Sequence, residues 1–207
     1  NDVVFADAGV SLSALSSAAR DEGLSGLEFA FGIPGTLGGA IYMNAGAYGG
    51  EMKDVLESCQ HIDKTGEFGH FQKDELDLSY RHSVYSNNNC TILSAVLKLK
   101  KGDKAEIKEA MDDKLRRRKE KQPLEYGSAG STFKRPEGYF AGALIEQSGL
   151  KGYTVGGAQV SEKHAGFVIN KNGATATDVI TLIRDVQNKV YEKFGVKLET
   201  EVKIIGE

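Results

Sequence analysis

The stretch GIPGTLGGAIYMNAGAYGG, residues 32–50, carries seven glycines and neither an acidic nor a basic side chain. Glycine costs roughly 0.5–1 kcal/mol against alanine inside a regular element, so a cluster this dense marks left-handed turns or a ligand lying against peptide groups. Two phosphate motifs are excluded. No Gly-Lys-Ser/Thr follows, as a P-loop requires, and the Gly-x-Gly-x-x-Gly of a dinucleotide turn is missing. Gly35-Thr36-Leu37-Gly38-Gly39-Ala40 still offers consecutive backbone N–H groups to a phosphate, provided a helix starts after Pro34. The competing reading is a tight packing loop.

Around this stretch lie 207 residues, enough for one large domain or two small ones, and two are expected. Lys and Arg total 26 against 29 Asp and Glu, so a formal charge of -3 gives no general attraction to nucleic acid or an anionic membrane. The expectation is a cytoplasmic protein with a small-molecule partner, and no segment approaches the roughly 18 apolar residues of a membrane span. Cys59 and Cys90 are too few for a disulfide framework. His61, His70, His82 and His164 lack paired-ligand spacing, so no metal is expected. The chain opens Asn-Asp-Val-Val, already strand-like, and reads as a fragment with something missing upstream.

Val3 to Ala8 reads as a strand, and Ser11 is placed to cap a helix carrying Leu12, Leu15 and Ala19 until Gly23 ends it. Residues 57–72 read as a hairpin turning at Lys64-Thr65-Gly66-Glu67, and Thr91 to Lys100 as a further strand. Asp103 and Glu106 then open a helix with Ile107, Met111 and Leu115 on one face, which Pro123 stops. Its basic run, Arg116 to Lys119, complements the helix dipole and reads as a solvated face rather than a phosphate site. A domain boundary is placed at this helix, giving residues 1–103 and 104–207.

In the second half, residues 127–138 read as a glycine-bearing loop, about 139–149 as a helix, and AGFVIN as a strand. Val179, Leu182, Ile183, Val186 and Val190 define an amphipathic helix from a Thr177-Asp178 start that Gly195 stops. The closing VKLETEVKII alternates strictly and reads as a strand with Glu201 and Glu199 on its polar face. The mixture gives an α+β class.

Two further motifs hold chemistry-bearing residues. In LSYRHSVY, residues 78–85, Arg81 offers a planar pair of donors to a carboxylate or developing enolate, although a salt-bridge role is the commoner use. In GSAGSTFKRP, residues 127–136, Ser131 has no hydrolase elbow around it. It is either an ordinary loop serine or a proton donor to a carbanion, with Lys134 and Arg135 close in sequence to attract phosphate.

Taken together and in order, GLEFAFGIPGTLGGAIYMNAGAYGGE, YRHSVY, GSAGSTFKRP, GGAQVSEKHAGFVIN and LETEVKIIG resemble the UDP-N-acetylenolpyruvylglucosamine reductase (MurB) family of peptidoglycan synthesis. The resemblance implies an FAD-dependent oxidoreductase of the vanillyl-alcohol-oxidase type. Residues 1–103 would be the second FAD-binding subdomain and 104–207 the UDP-sugar domain. FAD would lie against Gly35, Thr36, Gly38, Gly39, Asn44 and Gly46. NADPH would reduce it, and the reduced flavin would pass hydride to an enolpyruvyl carbon.

By motif position the resemblance makes Arg81 the residue polarising the substrate carboxylate, Ser131 the proton donor and Glu201 the carboxylate assisting at the same carbon. It leaves Lys134, Arg135, Tyr153, Lys163 and His164 as candidate contacts of the UDP-sugar. It further implies another glycine-rich segment ahead of this chain, so the 207 residues alone are expected to bind FAD poorly and to be inactive, while the parent protein is the reductase. The rival readings are another flavoprotein of the same fold and a non-catalytic nucleotide-sugar module.

Overall fold

The computed structural model describes residues 2–206. It divides into two compact units, residues 1–118 and 119–207. The first contains β1 (Val3–Asp7), α1 (Leu12–Asp21), β2 (Leu24–Ser25), α2 (Leu37–Tyr42), β3 (Gly46–Ala47), β4 (Gly50–Glu51), β5 (Leu56–Ile62) and β6 (Phe68–Gln72). It continues through α3 (Tyr85–Asn88), β7 (Thr91–Lys98), β8 (Lys100–Lys101) and most of α4 (Lys104–Lys121).

The main sheet of this unit has the order β1-β7-β5-β6, every pair antiparallel. Helix α1 begins where the Ser11 hydroxyl accepts the Ala14 N–H at 3.2 Å, which satisfies one of the donors a helix start leaves open. It buries Leu12, Leu15 and Ala19 against Leu37, Ala40 and Ile41 of α2 and against Leu56, Cys59, Ala95 and Leu97 of the sheet. Burial pushes the Cys59 thiol up to about 12, so it packs as an apolar group and is no nucleophile. The hairpin turn is held by Asp63, whose Oδ1 accepts from Thr65 N, Thr65 Oγ1 and Glu67 N at 2.8, 2.7 and 3.0 Å. These bonds, led by the Thr65 hydroxyl, keep its carboxyl below the usual range.

The strand expected over Thr91–Lys100 is broken at Leu99, and Lys100 and Lys101 pair instead with β2. The division between units falls within α4 at Arg118/Lys119 rather than ahead of that helix, because Ile107, Met111 and Arg118 are buried. Arg118 also departs from the solvated basic face expected of this run: only 6% of it is exposed.

The second unit contains β9 (Gly127–Ser131), α5 (Ala141–Gln147), β10 (Thr154–Val155), β11 (Ala158–Val160), β12 (Phe167–Asn170) and α6 (Ala176–Phe194). Its antiparallel sheet runs β10-β11-β12-β9. In α6 Thr175 and Asp178 form a reciprocal capping box, and Gly195 closes the other end at φ +68°. Leu182, Ile183, Val186 and Val190 pack with Leu144, Ile145, Val160, Val168 and Leu198.

Two expectations fail here. Residues 127–131 are a strand, their glycines being accommodated by a bulge described below. Residues 196–205 are not a strand. They make one isolated bridge, Phe133 to Thr200, after which Ile204 and Ile205 are 61% and 90% exposed. Alternation alone cannot sustain a strand without an edge to pair with, and among the described residues only 132–134 offer one. Among the described residues no helix is long and apolar enough to cross a membrane, and no cluster of His, Cys, Asp and Glu is arranged to hold a metal.

Candidate active site

Five of the seven glycines of residues 32–50 separate into two groups once the space around each is known, while Gly32 and Gly49 have positive φ. A side chain at Gly38 would place its Cβ 2.9 Å from the Ala8 Cβ, one at Gly46 would lie 2.9 Å from Gly50 O, and one at Gly50 would lie 2.8 Å from the Phe29 ring. Those three are glycine for internal packing. Gly35 is different: its Cβ would meet nothing within 4 Å, and a Cβ on Gly39 would meet only Thr36 Oγ1 at 3.8 Å. Neither has a positive φ, so nothing inside the chain accounts for the missing side chains. An open, exposed cradle at Gly35 and Gly39 fits a flat or phosphate-bearing ligand lying on the backbone.

The expected row of free amides is absent. Leu37 N donates to Val10 O, Gly38 N to Ala8 O, Ala40 N to Thr36 O, and Gly39 N to the Thr36 hydroxyl that caps α2. Leu37 and Gly38 thus anchor the loop to the segment between β1 and α1, and Gly39 and Ala40 are taken up by Thr36 at the start of α2. Asn44 is likewise occupied within the protein. Its side chain is 1% exposed, donates to Glu51 Oε2 at 3.0 Å and to Ser79 O at 3.1 Å, and accepts from Lys53 N at 2.9 Å.

Through Ser79 this network reaches Arg81. Ser79 and His82 exchange both backbone hydrogen bonds, so Tyr80 and Arg81 are the two corner residues of a tight turn. Arg81 sits there at φ +55°, a left-handed conformation that costs a non-glycine residue about 1 kcal/mol or more. Its guanidinium lies 5.1 Å from the Tyr80 ring centroid. The turn is pinned a second time by Ser83, fully buried, whose hydroxyl donates to Tyr42 O at 2.8 Å. On its solvent side His82 Nε2 meets Asp77 Oδ2 at 3.0 Å. The end of α2 and the arginine turn are thus one hydrogen-bonded piece. Asn44 and Ser83 are its ties, and sequence reading found neither role, because their partners lie 35 and 41 residues away.

Ser131 ends β9. Between Phe167/Ser131 and Ile169/Ser128 the register shifts by one residue, with Gly130 in the bulge at φ +87°. A bulge of this kind turns the next residue away from the regular ladder, a common device for aiming a side chain. Ser131 is half-buried, and among the described residues no hydrogen bond engages its hydroxyl. Its neighbour Thr132 accepts at its carbonyl from Glu201 N at 2.9 Å, while Lys134 N donates to Glu199 O at 2.8 Å. The backbone therefore brings Glu201 beside the Ser131 segment. The two glutamates, equivalent in sequence, now differ: Glu199 is 72% exposed and ion-paired with Lys134, whereas Glu201 is half-buried.

The remaining candidates have partners of their own. Arg135 stacks over Phe140 at 4.0 Å, Tyr153 donates to Asp185 Oδ2 at 2.9 Å, and Lys163 donates to Lys119 O at 2.7 Å. The Asp185 bond raises the Tyr153 hydroxyl above its ordinary value. His164 accepts the Gly166 N–H at Nδ1, 3.1 Å, and burial lowers its pKa, which keeps the ring neutral at physiological pH.

A profile described as an FAD binding domain matches residues 1–72. The fold and this match define a flavoprotein. A second profile, the C-terminal domain of UDP-N-acetylenolpyruvoylglucosamine reductase, matches residues 122–205. The reductase of that name from Syntrophomonas wolfei is 55% identical over 207 residues, all of this chain and 69% of its own length. The one from Agathobacter rectalis is 58% identical over 205 residues, 99% of this chain and 65% of its own. A crystal structure of UDP-N-acetylenolpyruvylglucosamine reductase (MurB) from Thermus caldophilus superimposes with a TM-score of 0.86 at 40% identity, covering 97% of this chain and 71% of that one.

The chain belongs to the UDP-N-acetylenolpyruvoylglucosamine reductase family, FAD-dependent oxidoreductases of peptidoglycan synthesis, and spans about two thirds of the length of these relatives.

The division of the glycines has a measurable consequence. Gly38→Ala is expected to lower stability by about 1–3 kcal/mol through overpacking against Ala8, seen as an earlier melting transition without ligand. Gly35→Ala leaves that transition within about 0.5 kcal/mol of wild type. In the full-length enzyme it weakens FAD binding by titration. Equal melting losses for the two variants would remove the distinction.

Proposed function

We propose that this chain supplies the flavin cradle and the proton-handling residues for NADPH-dependent reduction of UDP-N-acetylglucosamine enolpyruvate to UDP-N-acetylmuramate. FAD, when bound, supplies to the enolpyruvyl double bond the hydride it has taken from NADPH. Addition of hydride there drives negative charge onto the conjugated carboxylate. Arg81 meets that charge with a planar pair of donors, which favours the transition state over the ground state because the charge is still developing. Ser131 delivers the proton that completes the saturated product, and Glu201 assists at the same carbon.

The observation that carries this reading is the bond from Glu201 N to Thr132 O, next to Ser131. It ties two groups of complementary chemistry to one short stretch of backbone, and the half-buried position of Glu201, against the 72% exposure of the Glu199 side chain, favours Glu201 for the role. Gly35 and Gly39 support contact with FAD, Gly38 and Gly46 support it only by shaping the loop, and Asn44 by holding the arginine turn. Lys134, Arg135, Tyr153, Lys163 and His164 line up as UDP-sugar contacts only if a diphosphate or uracil displaces their present partners.

The test uses the full-length enzyme, reduced anaerobically with one equivalent of NADPH and then mixed with UDP-N-acetylglucosamine enolpyruvate. The expected result is rapid return of the oxidised-flavin absorbance with formation of UDP-N-acetylmuramate. Flavin that stays reduced in the presence of this sugar would overturn the reading.

A further inference from the structure

Residues 76–84 carry Arg81 at the tip of a short hairpin that is closed at three levels. At its base Val84 N donates to Leu76 O at 2.8 Å, and Leu76 is fully buried. Beneath the tip Ser79 and His82 exchange their backbone hydrogen bonds. Between these two levels the side chains meet as well, His82 Nε2 donating to Asp77 Oδ2 at 3.0 Å. The backbone enters the left-handed region twice in this run, at Asp77 (φ +45°) and again at Arg81 (φ +55°).

Stability does not account for the bond between Asp77 and His82. The Asp77 side chain is 74% exposed and that of His82 30%, and a pair so open to solvent contributes little to folding. The hairpin is anchored without it, through the Asn44 amide on Ser79 O, the Ser83 hydroxyl on Tyr42 O and Leu76 in the core. Those ties hold the backbone at residues 76, 79 and 83 and none of them grips a strained corner. Relaxation of Asp77 or Arg81 toward the negative φ that an L-residue prefers would rotate the tip and the arginine with it. The side-chain bond runs from one strained residue to the immediate neighbour of the other, so it resists both rotations at once.

We infer that His82, held by Asp77, is a positioning residue that fixes the direction in which Arg81 presents its guanidinium to the substrate carboxylate. The inference rests on the reading of Arg81 as the group that meets the developing carboxylate charge. A guanidinium fork pairs with a carboxylate only when the two are coplanar, so its value depends on orientation more than that of a point charge does. Displacement of a catalytic group by about 1 Å is enough to cost up to ~10²-fold in rate. His82 and Asp77 act through Arg81 alone, and reduction of the flavin by NADPH, which involves no substrate carboxylate, does not depend on them.

The experiment measures both half-reactions by stopped flow in the full-length enzyme for His82→Ala, His82→Gln and Asp77→Gly, each also combined with Arg81→Gly. His82→Ala breaks the bond from one side, and Asp77→Gly breaks it from the other without adding backbone strain. Each is expected to slow oxidation of the reduced flavin by the enolpyruvyl sugar about 10-fold or more, with flavin reduction by NADPH and the melting temperature at wild type. His82→Gln, whose amide nitrogen reaches the place of Nε2, should recover most of the loss. In the Arg81→Gly background His82→Ala should add less than about twofold, because the group it positions is gone. A wild-type sugar half-reaction in both His82→Ala and Asp77→Gly would overturn the inference, as would a loss that persists undiminished without Arg81 or one shared equally by both half-reactions. Wild-type turnover in Arg81→Gly itself would overturn the reading of Arg81, and the inference with it, whereas slow turnover there beside an unaffected His82→Ala overturns the inference alone.

Discussion

Replacing Ser131 with alanine in the full-length enzyme is expected to leave reduction of the flavin by NADPH at its wild-type rate. Oxidation of the reduced enzyme by the enolpyruvyl sugar then slows by about 10²–10⁴-fold, the usual cost of losing a general acid. The asymmetry follows from where the serine sits. It lies on the second unit at the end of β9, with its hydroxyl uncommitted and its backbone turned by the Gly130 bulge. Its chemistry is needed only when a carbanion must be protonated, and NADPH oxidation creates none. Removing a hydroxyl from a half-buried site leaves the ladder to β12 intact, so the melting temperature should scarcely move. Stopped-flow absorbance of the flavin in each half-reaction makes the comparison. Equal losses in both would show that Ser131 shapes the protein and takes no part in protonation.

At Arg81 activity and stability are expected to move in opposite directions. Arg81→Gly removes the group that meets the developing carboxylate charge, and the sugar half-reaction should slow by about 10²–10³-fold or more. The same change relieves a left-handed backbone at φ +55°, so the flavin-free protein should hold or gain up to about 1 kcal/mol of stability. Arg81→Lys keeps a charge but loses the paired donors and keeps the strain, so its activity lies between and its stability stays at wild type. The Ser79, His82 and Ser83 bonds that frame the turn do not involve the Arg81 side chain, which is why the turn should survive all three residues. A glycine variant with wild-type turnover would remove Arg81 from the chemistry. A glycine variant that melts markedly earlier would mean that the side chain holds the turn.

What the sequence made legible was local. Ser11, Asp103 and Gly195 announce helix ends because capping is settled within four residues, and the 3.6-residue spacing of Leu182, Ile183, Val186 and Val190 identifies the buried face of α6 directly, although that helix starts at its Thr175 cap, two residues ahead of the Thr177-Asp178 start expected. The motif order carried the family. What was not legible depended on partners far away in the chain. Seven glycines in one stretch look alike on paper, and only the positions of Ala8, Gly50 and Phe29 reveal which are packing glycines and which face open space. The alternation of VKLETEVKII was real as far as buried Leu198, but a strand needs a neighbour, and the bridge at Thr200 is all the neighbouring segment provides. Arg118 looked like one more solvated charge because three adjacent basic residues share a composition but not a helix face.

The amide of Asn44 clasps the carbonyl of Ser79 across 35 residues of chain. Between those two points β5 and β6 are held in the main sheet, and the hairpin tip at residues 64–67 is exposed. That tip is therefore free to lengthen, shorten or change over evolutionary time, since closing a longer loop adds little entropic cost, while the arginine at the far side of the clasp keeps its station relative to the glycine bend.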